Sequence, residues 1–263
     1  MITKHLVFQN SISIHLLELI LLIRALVYKG TKYICPCCGW KLRAFTRGGG
    51  SFRRRPNGYC PRCNSKARHR RIWLYLQGQT NLFSDRVKLL HISPKFCLSR
   101  QLKKRQNLYY VGADIRDQIN IRLKFDLTAA PVKADIFDSV LCVHVLEHIK
   151  DDNKAIQEIY RLLKPGGWAV ISVPMRLDKK TFEDPSIVTA EDRKKAFGEA
   201  DHYRFYGYDL REKLETNGFS VHFDLAARVR REISEKYGLL DDENIFFMEK
   251  QGSLETEKVT WQQ

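Results

Sequence analysis

Four of the seven cysteines form two Cys-x-x-Cys pairs whose residue type and spacing suit a metal ion. The pairs are Cys35 with Cys38 and Cys60 with Cys63, and 21 residues separate them. One such turn brings two thiolates to a tetrahedral Zn²⁺, and two turns complete its coordination. Because four thiolates leave no open position, the sequence predicts a structural zinc ribbon. Disulfide pairing is the disfavoured alternative, since nothing in the sequence indicates export.

The segment between the pairs has the composition of a short hairpin. The three glycines at residues 48–50 and the Pro-Asn-Gly sequence at residues 56–58 predict its turns. Cys37 has the wrong spacing to pair with Cys35, so we expect it to be a bystander.

Three histidines in the C-terminal part can act as general bases, because unperturbed imidazole titrates near neutral pH. His144 and His148 follow an apolar run, and His202 lies in a segment rich in charge and aromatic residues. The alternative is that His144 forms a pocket wall and that His148 caps the next helix. With Glu147, the first two also match an inverted zinc-protease motif. A position after a buried strand, with no evident third ligand, argues against a protease.

The elements that must position these residues alternate from residue 87 onward. Apolar runs of strand length predict buried strands over 87–92, 108–113, 136–142 and 168–173, with a final strand over 244–249. Helical spacing predicts a helix over 153–163. This alternation indicates a doubly wound, mainly parallel sheet, which binds its ligand at the carboxyl ends of the strands. Asp114 ends one strand, where an acid can accept hydrogen bonds from ribose hydroxyls, and Asp126 and Leu127 follow the next extended segment.

Four segments in order carry a family resemblance. Residues 137–148 and 162–167 resemble the centre of class I S-adenosylmethionine-dependent methyltransferases, above all the small-molecule type 11 group. Residues 110–114 and 126–128 lie where that family has its ribose-binding acid and its adenine-contacting segment. The resemblance covers about residues 85–250. It implies a Rossmann-like, seven-stranded sheet that binds S-adenosylmethionine and transfers a methyl group. The cofactor-binding residues it implies are Asp114, Asp126, Leu127 and His144.

The turn after the first strand departs from the family pattern. Residues 89–96 contain no glycine, although the family has a glycine-rich, acid-containing turn there. A turn without glycine approaches a ligand less closely. We therefore expect His91 and Ser93 to make the polar contacts with the methionine part of the cofactor. The alternative is a non-catalytic binding protein that has lost the cofactor.

Further resemblances concern the ribbon, the insertion after the strand over 168–173, and the segment that holds Glu147 and His148. The ribbon running into residues 65–70, together with residues 197–207, resembles a prokaryotic subgroup of unassigned substrates. Residues 175–208 form an insertion that, by resemblance, covers the acceptor. Some quinone-precursor O-methyltransferases of this fold bind a divalent metal through an acid-x-x-Glu-His segment. Here the acid is replaced by His144, so metal at Glu147 and His148 is a lesser alternative. The insertion's side chains that could hydrogen-bond a sugar-like acceptor are Glu183, Asp184, Asp201, His202, Arg204 and Tyr206.

Charge is unevenly distributed over the 263 residues, whose formal net charge is +15. Residues 1–84 hold fifteen Lys or Arg and one acid, Glu18, whereas the remainder is nearly neutral. The basic ribbon suits RNA, anionic lipid or a solvated surface. The cationic residues concerned are Arg43, Arg47, Arg53, Arg54, Arg55, Arg62, Lys66, Arg68, Arg70 and Arg71.

An apolar run over residues 12–27 precedes the ribbon. Polar residues interrupt it at His15, Glu18 and Arg24, and it is shorter than a membrane span needs. We expect a helix packed on the protein, with a helix lying in a membrane interface as the alternative. No cleavage site of a signal peptide follows, so we expect a cytoplasmic protein, or one associated with a membrane.

These patterns together predict the organisation and activity of the chain. The activity is methyl transfer to a small-molecule or glycan-type acceptor, with oxygen as the expected methylated atom, and an RNA acceptor is the alternative. The expected segments are an apolar helix at 1–30, a basic zinc ribbon at 31–71, a methyltransferase domain at 72–250 and a polar tail at 251–263.

Overall fold

A computed structural model of the chain describes residues 11–48, 55–117 and 121–252. The N-terminal part consists of a long helix, two short hairpins and a second helix. Its elements are α1 (Ser11–Val27), β1 (Lys29–Ile34), β2 (Lys41–Leu42), β3 (Thr46–Gly48), β4 (Arg55–Tyr59) and α2 (Ala67–Gln79).

The C-terminal part alternates strands with helices, as predicted. Its strands are β5 (Val87–Ile92), β6 (Leu108–Asp114), β7 (Leu123–Lys124), β8 (Phe137–Val143), β9 (Leu163–Ser172), β10 (Phe182–Glu183), β11 (Arg204–Phe205), β12 (Phe219–Asp224) and β13 (Ile245–Lys250). Its α-helices are α3 (Phe96–Leu102), α4 (Asp152–Leu162), α5 (Ala190–Phe197), α6 (Leu210–Thr216) and α7 (Arg231–Tyr237). Short 3₁₀ turns cover Leu127–Ala129, Leu146–His148 and Ala226–Arg228.

Seven strands form one sheet in the order β12-β13-β9-β8-β5-β6-β7. Pairing is parallel from β7 through β9, whereas β13 runs antiparallel to both β9 and β12. The predicted Rossmann-like, seven-stranded sheet is thus confirmed. The chain leaves β5 for β6 on one side and later enters β8 on the other, so the strand order reverses at β5. The crevice for a ligand opens at such a switch point.

The sequence explains where helix α4 begins and which of its faces is buried. Asp151 caps it by accepting a hydrogen bond from the Lys154 backbone N–H at 3.0 Å, and one face buries Ile156 and Ile159. The predicted helix is therefore confirmed to within a residue. Strand β9 begins earlier than expected, because residues 164–167 continue the strand through an irregular pairing with β8 instead of forming a separate turn.

The ribbon packs against one face of the large sheet. A single cluster of buried residues joins Cys35 and Cys60 of the ribbon to Trp73 of α2 and to Leu89 and Val170 of the sheet. The other face packs against α4 and α6. The ribbon and the sheet therefore share a hydrophobic core.

Arg70 connects the ribbon to residues 237 and 238 through hydrogen bonds. Its side chain is completely buried and donates hydrogen bonds to four carbonyl oxygens, those of Asn57 (2.6 Å), Ser65 (2.8 Å), Tyr237 (2.9 Å) and Gly238 (2.6 Å). A buried guanidinium is tolerated when its donors are satisfied in this way. Arg70 is therefore a structural residue.

The predicted basic surface is correspondingly smaller. Arg71 is also buried and donates to Asp224 Oδ2 at 2.6 Å. Arg70 and Arg71 therefore do not belong to a surface that could follow phosphates. Arg53 and Arg54 lie outside the described residues.

The second hairpin of the ribbon differs from the prediction in one stretch. Residues 56–58 lie within β4, which pairs with β3, and do not form a turn. A Cβ atom on Gly58 would overlap the backbone of Gly48 on the opposite strand. The glycines are therefore required by the close approach of two strands.

Helix α1 is held to the protein along one face only. Leu21 and Ala25 are buried, the Trp40 indole donates to the Ala25 carbonyl at 3.2 Å, and Arg100 pairs with Glu18 at 3.0 Å. The opposite face is apolar and exposed, at Leu16, Leu19, Ile20, Leu22, Ile23, Leu26 and Val27. The expectation of a helix packed on the protein is therefore met by one face of α1, whereas the other face is exposed. Among the described residues no helix is both long and apolar enough to cross a membrane.

Candidate functional site

The four paired cysteines converge as the spacing predicts. Cys35 Sγ lies 3.6 Å from Cys63 Sγ, and Cys38 Sγ lies 3.8 Å from Cys60 Sγ. All four sulfur atoms lie within 4.8 Å of one another. Tetrahedral Zn–S bonds of about 2.3 Å place sulfurs about 3.8 Å apart. The donor set therefore fits a structural zinc ion, and Cys37 lies outside it, directed at the His69 carbonyl.

The predicted cofactor residues meet at the carboxyl edge of three neighbouring strands. Ser93 follows β5, Asp114 ends β6 and His144 follows β8. Ser93 and His144 both hold left-handed backbone conformations, with φ of +46° and +52°. Such strain in residues other than glycine is concentrated at functional sites. The turn without glycine therefore adopts the backbone conformation that a glycine would usually supply.

Hydrogen bonds from neighbouring strands fix both strained residues. The Ser93 backbone N–H donates to the Ala113 carbonyl at 2.7 Å, and the His144 backbone N–H donates to the Ser172 carbonyl at 2.8 Å. The two turns are thereby held at the switch point, where the sheet opens toward a ligand.

Asp114 and Asp126 differ in what they can offer. Asp114 is buried, and its Oδ1 accepts the Arg116 backbone N–H at 2.9 Å. Asp126 is exposed, and its Oδ1 caps its own 3₁₀ turn by accepting from the backbone N–H and hydroxyl of Thr128, both at 2.9 Å. Leu127 has its side chain in the core. Asp126 and Leu127 could therefore contribute to a ligand mainly through their backbone.

The expectation for His91 requires a correction. Its side chain is enclosed on β5, with Nδ1 3.0 Å from the Tyr110 hydroxyl and the two rings edge to face. Burial, reinforced by the charge of Lys95, lowers the pKa of His91 to about 3. His91 is therefore neutral and does not reach the turn, so of the two residues expected to contact the methionine part only Ser93 lies there.

His144 faces two carboxylates. Its Nδ1 lies 3.3 Å from Glu147 Oε1, and its Nε2 lies 3.9 Å from Glu243 Oε2. Burial disfavours charge on Glu147, but the contact with His144 outweighs it and holds the pKa of this carboxyl below its usual value. Sequence reasoning missed Glu243, because it lies far along the chain and no motif marks it.

His148 and His202 come together from different segments. Their rings meet edge to face with centroids 4.7 Å apart. His148 Nδ1 lies 3.1 Å from Asp201 Oδ2, and His202 Nδ1 lies 3.3 Å from the Phe197 carbonyl oxygen. Burial lowers the pKa of His202, so it is a neutral imidazole near pH 7.

Arg204 and Tyr206, which were predicted to contact the acceptor, bind within the protein instead. Arg204 is buried and donates to Glu183 and to backbone carbonyls of the segment after β8. The Tyr206 hydroxyl donates to buried Asp152 at 2.7 Å. A sugar-like acceptor would have to displace these bonds, so Arg204 and Tyr206 are structural residues and the prediction for them was wrong.

A cationic cluster lies beside the turn after β5 and joins Lys95 to two basic residues of the ribbon, Lys66 and Arg68. Burial, reinforced by the nearby charges of Arg68 and Lys95, lowers the pKa of Lys66 to about 8. Lys95 shows a lowered pKa for the same reasons, burial and then Arg68. The Nε atom of Arg68 is buried without a hydrogen-bond partner. These three residues form a positive wall that can receive an anionic group.

Known proteins resemble part of this chain. Residues 73–171 match the family described as methyltransferase domain. The uncharacterised methyltransferase YdaC of Bacillus subtilis (strain 168) is 27% identical over 104 residues, 35% of this chain and 58% of that protein. The ubiquinone biosynthesis O-methyltransferase of Paracidovorax citrulli (strain AAC00-1) is 47% identical over 36 residues, 14% of this chain and 15% of that protein. This chain thus spans less than two thirds of either relative.

A solved structure also resembles the chain. The S-adenosylmethionine-dependent methyltransferase from Mesorhizobium loti aligns with a TM-score of 0.47 at 18% identity, over 67% of this chain and 95% of that one. The family match covers β5, β6 and β8, whose ends carry Ser93, Asp114 and His144. Residues 73–171 of this chain are therefore similar to a methyltransferase domain.

Proposed function

We propose that the protein is an S-adenosylmethionine-dependent methyltransferase that methylates oxygen on a small-molecule or glycan-type acceptor. One observation carries the proposal. Ser93, Asp114 and His144 lie at the carboxyl ends of three adjacent strands, at the reversal of strand order within the family-matched segment. Ligands of doubly wound sheets bind at this point.

The residues present fit the parts of the cofactor. Buried Asp114 is placed to accept hydrogen bonds from ribose hydroxyls. The backbone of the Ser93 turn and the positive wall of Lys66, Arg68 and Lys95 suit the charged methionine part, since guanidinium and ammonium groups bind carboxylates. The wall could thus replace contacts that a glycine-rich turn usually makes.

Methyl transfer depends mainly on how the acceptor is positioned relative to the methyl group of the cofactor. The cofactor supplies an electrophilic methyl group, and holding an acceptor in line with it provides much of the acceleration. His144, placed between Glu147 and Glu243, is suited to take the proton of an acceptor hydroxyl.

Calorimetric titration with S-adenosylmethionine and S-adenosylhomocysteine tests the proposal. We expect micromolar binding of both in the wild type, loss of binding in Asp114→Ala, and retention in Asp178→Ala, an exposed acid of the insertion. Absence of binding to the folded wild type would contradict it. The domain would then be a non-catalytic binding protein that lost its cofactor at the turn without glycine.

The N-terminal helix supports a second part of the proposal, peripheral contact with an anionic membrane. Its exposed face carries seven large apolar side chains, and Lys29 and Lys32 follow the helix directly. Apolar side chains with adjacent lysines suit the boundary between head groups and acyl chains. A lipid-linked glycan would be presented at that surface. The RNA alternative is less favoured, because Arg70 and Arg71 are engaged internally.

A further inference from the structure

We propose that the ribbon completes the cofactor site, so that its metal ion and an S-adenosyl ligand bind cooperatively. This coupling rests on the proposed function and adds a means of regulation to it. Lys66 and Arg68 belong to the ribbon, and Lys95 lies directly before α3. Together they bind the carboxylate of the ligand, and the metal holds the two ribbon residues in place.

The charges around Lys95 show that the ribbon lies beside the ends of the strands. Lys95 follows Ser93 of the turn after β5 by two residues. It is repelled by the guanidinium of Arg68 and attracted by the carboxylate of Asp114, the acid that ends β6. Arg68 and Lys95 both repel the ammonium group of Lys66. The positive wall therefore reaches from the ribbon to the acid proposed to bind the ribose.

The beginning of α2 also approaches the turn after β8. Burial, reinforced by the charges of Arg68 and His144, lowers the pKa of His69 in the first turn of α2. Glu243, whose Oε2 lies 3.9 Å from His144 Nε2, attracts the ammonium group of Lys66. The ribbon thus borders the turns after both β5 and β8, between which the crevice opens.

Arg68 has an unused hydrogen-bond donor at this place. Its Nε atom is buried and has no hydrogen-bond partner within the described ranges. Burying a guanidinium N–H without an acceptor is costly, and so is holding three cations close together. A ligand carboxylate would accept from the free donor and offset the repulsion, since charge-assisted hydrogen bonds of this kind are strong.

Ser65 connects the metal site to Lys66. It is completely buried, and its hydroxyl oxygen lies 3.3 Å from both Cys35 Sγ and Cys63 Sγ. Its carbonyl oxygen accepts the Cys60 backbone N–H at 2.9 Å. Three of the four cysteines that fit a zinc ion therefore fix the residue directly before Lys66.

Release of the metal removes this restraint from the positive wall. The Lys66 backbone N–H donates to His69 Nδ1 at 3.2 Å, which fixes the beginning of α2 and with it Arg68. Partners in the outer shell of a metal keep their positions only while the ligands hold theirs. Two linked sites change each other's affinity by the same factor. We expect a factor of about ten, the contribution of one hydrogen bond between charged groups.

Two ligands that differ only in the carboxylate test the contact. S-Adenosylhomocysteine and its decarboxylated analogue, which keeps the amine, are titrated calorimetrically into the full chain purified with zinc. Arg68→Ala should weaken binding of S-adenosylhomocysteine by about tenfold or more and change binding of the analogue little. Arg86→Ala, an exposed arginine before the opposite end of β5, should match the wild type with both ligands.

Chelation tests the coupling itself. Each ligand is present at about 100 times its dissociation constant, so that both stabilise the folded protein equally. Zinc that remains after chelation is measured by elemental analysis. S-Adenosylhomocysteine should raise the chelator concentration needed for half release about tenfold more than the analogue does. In Arg68→Ala the two ligands should protect the zinc equally.

The outcomes separate the coupling from the proposed function. Retained zinc and an unchanged unfolding midpoint show that a variant is folded, and Lys66→Gln serves if Arg68→Ala is not. A folded Arg68→Ala that binds S-adenosylhomocysteine like the wild type, or equal protection of wild-type zinc by both ligands, would overturn the coupling and leave methyl transfer standing. Absence of binding of both ligands to the folded wild type would overturn the coupling and the proposed function together.

Discussion

Arg204 binds the Leu146 carbonyl oxygen through Nη1 at 3.2 Å, although the two residues belong to segments 58 residues apart. The same guanidinium bonds Glu183 at 2.8 and 2.9 Å and the Lys150 carbonyl at 2.6 Å. It is 1% exposed and thus holds the insertion against the segment that carries the two site histidines, His144 and His148.

Arg204→Ala should destabilise the protein by about 3–5 kcal/mol, because it leaves buried partners uncompensated. Arg204→Lys should recover little, since one ammonium cannot reproduce a planar fork. Denaturant unfolding measures both. Arg211→Ala breaks an exposed pair with Glu215 and should cost no more than about 0.5 kcal/mol. Equal effects of the Arg204 and Arg211 variants would contradict the structural role.

His91 gives a prediction for pH. Its folded pKa of about 3 lies below the unfolded value of about 6.5, so the unfolded chain binds the extra proton between these values. The stability that His91 contributes is therefore complete above pH 6.5 and falls on acidification. From pH 7.5 to pH 5.5 the loss is about 1.4 kcal/mol.

The comparison with His91→Gln isolates this effect, because other titrating groups are shared. Glutamine can still accept from the Tyr110 hydroxyl but does not titrate. Unfolding free energies at the two pH values should show the variant losing about 1.4 kcal/mol less than the wild type. Parallel losses in both proteins would mean that His91 is not buried as a neutral ring.

The ribbon offers a matched pair of cysteine variants. Cys60→Ser removes one of four thiolates and should release the ribbon zinc and lower the unfolding temperature, because the metal contributes to folding. Cys37→Ser alters a neighbouring buried thiol outside the donor set and should keep the zinc. Elemental analysis after brief chelation distinguishes them. Zinc retained in Cys60→Ser would show that Cys60 is not a ligand.

Two glycines should respond in opposite directions to alanine. Gly58→Ala places a Cβ against the Gly48 backbone and should destabilise the ribbon. Gly78 lies in helix α2 with open space around its Cα, so Gly78→Ala should stabilise the protein by about 0.5–1 kcal/mol. Thermal unfolding tests the pair, and a tolerated Gly58→Ala would argue against the close strand contact.

Membrane contact is tested with vesicles. The wild type should co-sediment with vesicles of phosphatidylcholine and phosphatidylglycerol at low salt. Leu19→Glu combined with Ile23→Glu should weaken this at least tenfold, since it removes two exposed apolar side chains and adds negative charge. Val188→Glu, at an exposed apolar position of the insertion, should bind normally. A wild type that stays in the supernatant would exclude this surface.

The sequence predicted most of the sheet for a physical reason. Its central strands are buried on both faces and appear as apolar runs, and α4 repeats its apolar residues with helical spacing. The convergence of the four paired cysteines followed from local spacing. The turn predicted at residues 56–58 was wrong, because a glycine that suits a turn also allows two strands to approach closely. The early start of β9 was missed because it depends on pairing with β8.

The sequence predicted which residues lie at the strand ends of the site, but not which side chains contact one another there. Asp114 and His144 were placed correctly at strand ends, since parallel strands share one edge. The roles of His91 and Arg204 could not be read, because a sequence does not show whether a polar side chain is enclosed with a partner. The proximity of Glu243 to His144 depends on tertiary packing alone.

The bonds from Arg70 to the carbonyls of Tyr237 and Gly238 have a consequence for the growing chain. The ribbon is synthesised before the sheet, yet two of the acceptors of Arg70 are made 167 and 168 residues after Arg70 itself. Contacts of such separation must overcome the entropy of closing a long loop. The ribbon therefore completes its structure only after residues 237 and 238 have been synthesised, and a nascent chain halted before residue 237 keeps an unsatisfied arginine at its centre.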